Sequence, residues 1–299
     1  MSGPLDLVAM LRPIGVPFHD PTLRVRKHEA IRATRTPDGP ATLHIKTSAG
    51  GELLLEAWGP GRAWILPRAS TWGRASNVNF PAGEPKLYLP GPAPGLRGVR
   101  LVRTDRVFEL LVPIVLEQLV SGAEASRAFS LLVRRFSEPA PGPFDDLWLP
   151  LGPDQIRAIP LAAFPACGAM PKQGATLHEL ARRATRVEEA AGMEADAAER
   201  RLLALPGIGI WTARSAMLRG MGFPDAVPLG DYHLPNLVAW NLAGERHADD
   251  TRMLALLEPW RGQRGRLIRW IMSAGRMPPR RGPRAPLRPI HPSPRLGHR

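Results

Sequence analysis

The chain has 299 residues, enough for a sizeable core and, by length, two domains; its 40 Lys+Arg against 27 Asp+Glu leave a formal net charge of +13. That balance favours a polyanionic partner, nucleic acid first, because cationic side chains displace counterions from phosphate backbones, although richness in Arg, Ala and Pro also suits a GC-rich genome. The single cysteine, Cys167, excludes an intramolecular disulfide framework and a four-cysteine iron–sulfur cluster. No run of about eighteen apolar residues occurs, and the opening MSGPLDLVAMLRPIG lacks a basic stretch followed by a long apolar one, so neither a membrane span nor a leader is predicted and a cytoplasmic protein is expected.

In chain order, residues 31–58 show a strand pattern. IRATRT is followed by the turn PDGP, then by ATLHIK, where Leu43 and Ile45 alternate with Thr42, His44 and Lys46; a second turn, Ala49–Gly51, leads into ELLLEAW. This predicts an antiparallel meander. Ala63–Leu66 is a candidate further strand. The stretch from Pro81 to Gly98 is dense in Pro and Gly, which opposes helix and sheet alike, and marks a domain boundary. No internal repeat is visible.

Helical periodicity then takes over. Residues 107–120 (VFELLVPIVLEQLV) are apolar nearly all round, the pattern of a central buried helix that Pro113 would kink. In residues 123–136, Ala125, Ala128, Phe129, Leu132, Val133 and Phe136 fall on one face, and Thr176 with Glu179 gives a capping-box pattern ahead of Leu177, Leu180 and Ala181. The predicted fold class is α+β, mainly an α-helical bundle over residues 99–275 preceded by a small antiparallel β-rich N-terminal domain over residues 1–98. The tail from residue 276 has no acidic residue and too little apolar content for a core, so disorder is predicted; it either adds unspecific affinity for DNA or is merely solvated.

Within the bundle, LPGIGIWTA (205–213) puts Gly207 and Gly209 in a tight joint between two helix-forming runs. The glycines permit positive φ, and backbone N–H groups exposed at the second helix start suit a phosphate. VPLGDYHL (227–234) then places Asp231 at the start of a further helix, where the dipole favours a carboxylate. Hairpin and aspartate together resemble the helix-hairpin-helix DNA glycosylases, most nearly the bacterial 3-methyladenine-DNA glycosylase II type, which also begins with a small β-rich domain. The resemblance covers residues 99–275 well and the first hundred less well.

The resemblance implies a monofunctional glycosylase of base excision repair that acts as a monomer, associated with the nucleoid, on double-stranded DNA with damaged bases. Asp231 matches the family's essential aspartate, whose carboxylate opposes charge on the sugar; taken alone it is an ordinary N-cap residue. The hairpin residues Gly207, Ile208, Gly209 and Thr212 correspond to the DNA grip. Relatives that also cut the backbone carry a Schiff-base lysine where Trp211 stands here, so no lyase activity is expected. Trp211 and Trp260 match aromatic base-pocket positions suited to cationic alkylated purines, with core packing as the plain alternative. Ser215 stands where a pocket tyrosine is expected; Tyr232 either lines the site or is a surface residue.

EQLVS (117–121) resembles the segment that carries the family's intercalating leucine, giving Leu119 the wedge role and Gln118 a nearby DNA contact, whereas composition alone would place Leu119 in the core. The family has glycine at the position of Glu117, where an acid suits DNA only if it points away. No organic cofactor and no iron–sulfur cluster are expected; the family's hairpins hold Na+ or K+ on backbone carbonyls, here those of Leu205, Gly207 and Ile210. His233 is expected to be structural, and His28, His44 and His178 lack metal-ligand spacing. Two other readings remain open: a non-catalytic hairpin DNA-binding protein, and a glycosylase for oxidised or deaminated bases.

Overall fold

A computed structural model of the chain describes residues 5–48, 52–72, 99–279, 287, 288 and 290. The Ala49–Gly51 turn, the Pro81–Gly98 boundary and the rest of the tail lie outside the described residues.

The short helix α1 (Leu7–Leu11) precedes an antiparallel sheet in the order β1 (Leu23–Val25), β2 (Glu29–Thr36), β3 (Gly39–Thr47) and β4 (Leu53–Trp58). β2 and β3 pair from Glu29↔Lys46 to Thr36↔Gly39, so Pro37 and Asp38 make a two-residue turn, with φ +111° at Gly39. Ala30, Leu43 and Ile45 face the main core. Thr42 and His44, on the alternate face, are buried as well, because residues 139–149 cross that face and set Phe144 edge-on to His44 and Trp58, with ring centroids 5.2 Å apart in both pairs.

The expected strand at Ala63–Leu66 is helical. It lies in α2 (Arg62–Trp72), whose Ile65, Ala69 and Trp72 are buried at helical spacing.

The helices continue with α3 (Val107–Leu116), α4 (Gly122–Phe136), α5 (Pro153–Ala158), α6 (Ala163–Ala166), α7 (Pro171–Arg182), α8 (Ala184–Glu189) and α9 (Ala195–Leu203). Then come α10 (Ile210–Gly220), α11 (Leu234–Ala243), α12 (Asp250–Leu257) and α13 (Arg264–Ala274). All ten residues of α3 are buried, as its all-round apolar pattern requires. The helix ends at Leu116 rather than Val120: Gln173 Nε2 donates to the carbonyls of Leu116 and Gln118 at 2.9 Å each and draws the chain into a loop. Gln173, not Thr176, also makes the start of α7, its Oε1 accepting from Met170 N at 2.7 Å, so Thr176 and Glu179 are interior to that helix.

Sheet and bundle meet at Glu109 of α3. Its carboxylate accepts from Arg32 Nη2 at 3.1 Å, Thr34 Oγ1 at 2.8 Å and Arg35 N at 2.5 Å, and the side chains of the Arg32–Glu109 pair are each 6% exposed. Among the described residues no helix is long and apolar enough to cross a membrane.

Candidate active site

α9 ends at Leu203 and α10 begins at Ile210, leaving the hairpin turn between them. Gly207 has φ +79°, and a Cβ there would lie 2.3 Å from Thr176 Oγ1 of α7; only glycine fits that joint. Gly209 is the exposed residue preceding α10, with open space where a Cβ would stand, so its backbone can be approached closely. Ile208 and Leu205 are buried and anchor the turn, and Thr212 is buried in the first turn of α10.

The loop after α3 is tied to this turn. Gln118 Nε2 donates to Gly207 O at 3.1 Å and to Thr212 Oγ1 at 2.9 Å. The next residue, Leu119, is held at φ +59° and is 82% exposed, so it is not part of the core. Ser121 closes the loop with a reciprocal capping box to Glu124 of α4.

In the first turn of α10, Trp211 Nε1 donates to Asp231 Oδ2 at 2.8 Å. Asp231 Oδ1 accepts from His233 N at 2.8 Å and Leu234 N at 2.9 Å, so the half-buried carboxylate sits over the start of α11, whose first flanking residue is His233. Gly230, at φ +79°, aims the aspartate, and its N–H donates to Asp250 Oδ2 at 2.7 Å.

Trp211, Ser215 and Arg219 recur every four residues along one side of α10. Arg219 Cζ lies 6.0 Å from the Trp211 ring centroid, and its two Nη atoms bind Glu117 at 2.9 and 2.7 Å. Burial works against the guanidinium, but the Glu117 pair, and then the charge of Asp231, hold its pKa above the usual arginine value. Glu117 therefore turns into the protein, 11% exposed, and is paired with Arg219.

The structure thus brings Asp231, Trp211, Thr212, Gly207 and Gln118 into two linked clusters on α10 and the hairpin, with Leu119 projecting beside them. Tyr232 is 86% exposed and packs edge-on against His233 at 4.9 Å. Trp260 stands half-buried in the single turn Glu258–Trp260 between α12 and α13, packed against the main core. Arg219 escaped the sequence reading, although its spacing from Trp211 was visible; its partner Glu117 is 102 residues away. Asp250, which holds Gly230, left no local signal. Among the described residues no group of three His, Cys, Asp or Glu side chains could hold a metal ion.

The structure aligns with the 3-methyladenine DNA-glycosylase of Archaeoglobus fulgidus at a TM-score of 0.71 with 15% identity, over 91% of this chain and 96% of that one. The fold is that of this DNA glycosylase. It is shared, at a TM-score of 0.61 and 10% identity over 89% of this chain and 91% of that one, with the 8-oxoguanine glycosylase/lyase of Clostridium acetobutylicum, whose structure holds double-stranded DNA with cytosine opposite 8-oxoguanine. In sequence, 150 residues are 34% identical to the probable bifunctional transcriptional activator/DNA repair enzyme AlkA of Mycobacterium tuberculosis, covering 48% of this chain. The chain spans only 28% of that relative's length. No protein-family model matches.

Proposed function

We propose that the protein is a DNA glycosylase of base excision repair that flips alkylated purines of the 3-methyladenine and 7-methylguanine type out of duplex DNA and hydrolyses their N-glycosidic bond. The observation that carries this reading is the held carboxylate: Asp231, fixed by Trp211 Nε1 and two backbone N–H groups, one helix away from the Gly207–Gly209 turn. As the bond between C1′ and the purine nitrogen breaks, its electron pair leaves with the base and neutralises the positive charge of the alkylated ring. C1′ becomes oxocarbenium-like. Asp231 opposes that charge and takes the proton of the water whose oxygen joins C1′. Leu119 fills the gap left in the stack, and Gln118 keeps its loop fixed to the hairpin.

Trp211 supports the cleavage of the base alone: an indole offers no amine for a Schiff base, so the product is an abasic site in an uncut strand. It also presents an electron-rich ring to a cationic purine. A monovalent cation at the turn would use the carbonyls of Leu205, Gly207 and Ile210; Leu205 O already accepts from Ile208 N and Gly207 O from Gln118 Nε2. A second reading, excision of 8-oxoguanine, is favoured by the likeness to the Clostridium enzyme.

The test is to incubate the protein with methylated duplex DNA and, separately, with duplex containing 8-oxoguanine, resolving freed bases by chromatography and strands on a denaturing gel. Release of methylated purines with strands uncut until alkali treatment is expected. Release of 8-oxoguanine alone, or strand cleavage without alkali, contradicts the proposed specificity or the absence of lyase activity.

A further inference from the structure

On the N-terminal side of the molecule a cavity of about 340 Å³ opens beside β1, its lining including Arg12, Pro17, His19, Asp20, Arg24 and Arg26. Arg12, His19, Arg24 and Arg26 are exposed. The one acid, Asp20, is spent inside the loop: Oδ1 accepts from Thr22 N and Thr22 Oγ1 at 2.8 Å each, and Oδ2 from Val16 N at 2.9 Å. Arg24 is partly committed through Nη2 to Asp145 O, which leaves Arg12 and Arg26 to set the field of the cavity. A concave site lined by arginines with its carboxylate turned inward fits a phosphate diester.

The loop that lines the cavity, Pro17 to His19, is fastened to the first turns of α4. Phe18 N donates to Ser126 Oγ at 3.2 Å, and Pro17 Cγ would lie 3.5 Å from a Cβ on Gly122. Gly122 is three residues after Leu119, a span of at most about 10 Å. The exposed leucine therefore has the hairpin bound to the residue before it, through Gln118, and the arginine-lined loop bound to the helix after it. Phe18, between the lining residues Pro17 and His19 in sequence, is 54% exposed.

We infer that this cavity is a second phosphate seat, gripping the DNA strand opposite the one held by the hairpin, so that the N-terminal sheet region takes part in binding. The inference rests on the DNA-binding reading above. Two grips, one to each side of the inserted leucine, would let the duplex be opened without losing either strand.

The experiment measures duplex affinity by fluorescence anisotropy across a salt series for the wild type, Arg12→Ala/Arg26→Ala and a control, Lys46→Ala/Arg62→Ala, which removes equal charge from β3 and α2. Since each phosphate no longer neutralised takes about 0.9 from the slope of log affinity against log salt, the first variant, which empties one seat, is expected to be shallower by about 1. The control should stay near the wild type. Neutral methylphosphonates placed in the strand opposite the lesion should weaken the wild type but not Arg12→Ala/Arg26→Ala.

Equal slopes for the wild type and Arg12→Ala/Arg26→Ala, or the same loss in the control, overturn the second seat while leaving the hairpin and the glycosylase reading intact. A wild type that does not bind duplex at all removes both.

Discussion

Leu119 combines a left-handed backbone with 82% exposure: the conformation costs about 1–2 kcal/mol, and the side chain buries little to offset it. Leu119→Gly is accordingly expected to leave the urea midpoint unchanged or raise it. Leu119→Ala should slow base excision by about tenfold or more while changing duplex affinity much less; equal losses in rate and affinity would contradict a wedge. At this scale the sequence was legible mainly through resemblance. The motif around Leu119 and the pairing of hairpin with Asp231 could be read, but spacing alone would have put that leucine in the core. Where Glu117 points could not be read at all, because its orientation is set by Arg219 on another helix. The Trp211–Asp231 hydrogen bond is of the same kind: each residue was visible, while their contact depends on Gly230 and the start of α11.

Among the elements, the hairpin depends most on one atom's absence. Gly207→Ala must place a methyl group 2.3 Å from Thr176 Oγ1 while keeping φ near +79°, and we expect a loss of about 1–3 kcal/mol of stability together with weaker duplex binding. Urea denaturation and anisotropy check the two effects; an unperturbed variant would show that the turn is not under this constraint. The sheet's pairing was legible because Pro-Asp-Gly and alternating apolar residues fix a hairpin register. The strand expected at Ala63–Leu66 failed for a specific reason: a four-residue apolar run is too short to tell a strand period from a helical one. What settles α2 is tertiary, the burial of Ile65, Ala69 and Trp72 and the stacking of Arg68 over Trp64 at 3.8 Å. Likewise Thr176–Glu179 carried a capping pattern, yet Gln173 is the residue that closes the start of α7, because its amide also satisfies the end of α3.

At the scale of the whole molecule, the buried Arg32–Glu109 ion pair joins sheet to bundle. Glu109→Ala leaves Arg32 charged and without its carboxylate, which should cost about 3–5 kcal/mol in thermal or urea unfolding, whereas Arg32→Met/Glu109→Leu should recover part of that loss. The tail reaches back as well. Hydrogen bonds from Arg288 first, and then from Ser121, hold the Glu124 carboxyl down to about 2, and Arg127 Nη2 donates to Arg288 O at 2.5 Å. Because the folded-state value is depressed, this contact contributes above the ordinary carboxylate value of 4.5 and is lost as pH falls towards 2. Glu124→Gln keeps the capping box but removes the charge, so trypsin at pH 8 should trim the tail faster than in the wild type; equal rates would mean that the Arg288 contact does not hold it. None of this long-range closure is local enough to read from sequence, whereas the net charge of +13 already pointed to a polyanion.

The most direct measurement compares base release from methylated duplex DNA by the wild type and by Asp231→Asn. The amide keeps an oxygen for the N–H groups of His233 and Leu234 and removes the charge that opposes the sugar cation. We expect the wild type to free methylated purines and the variant to lose at least about a hundredfold in rate while binding duplex as before. A variant that excises as fast as the wild type would contradict the account.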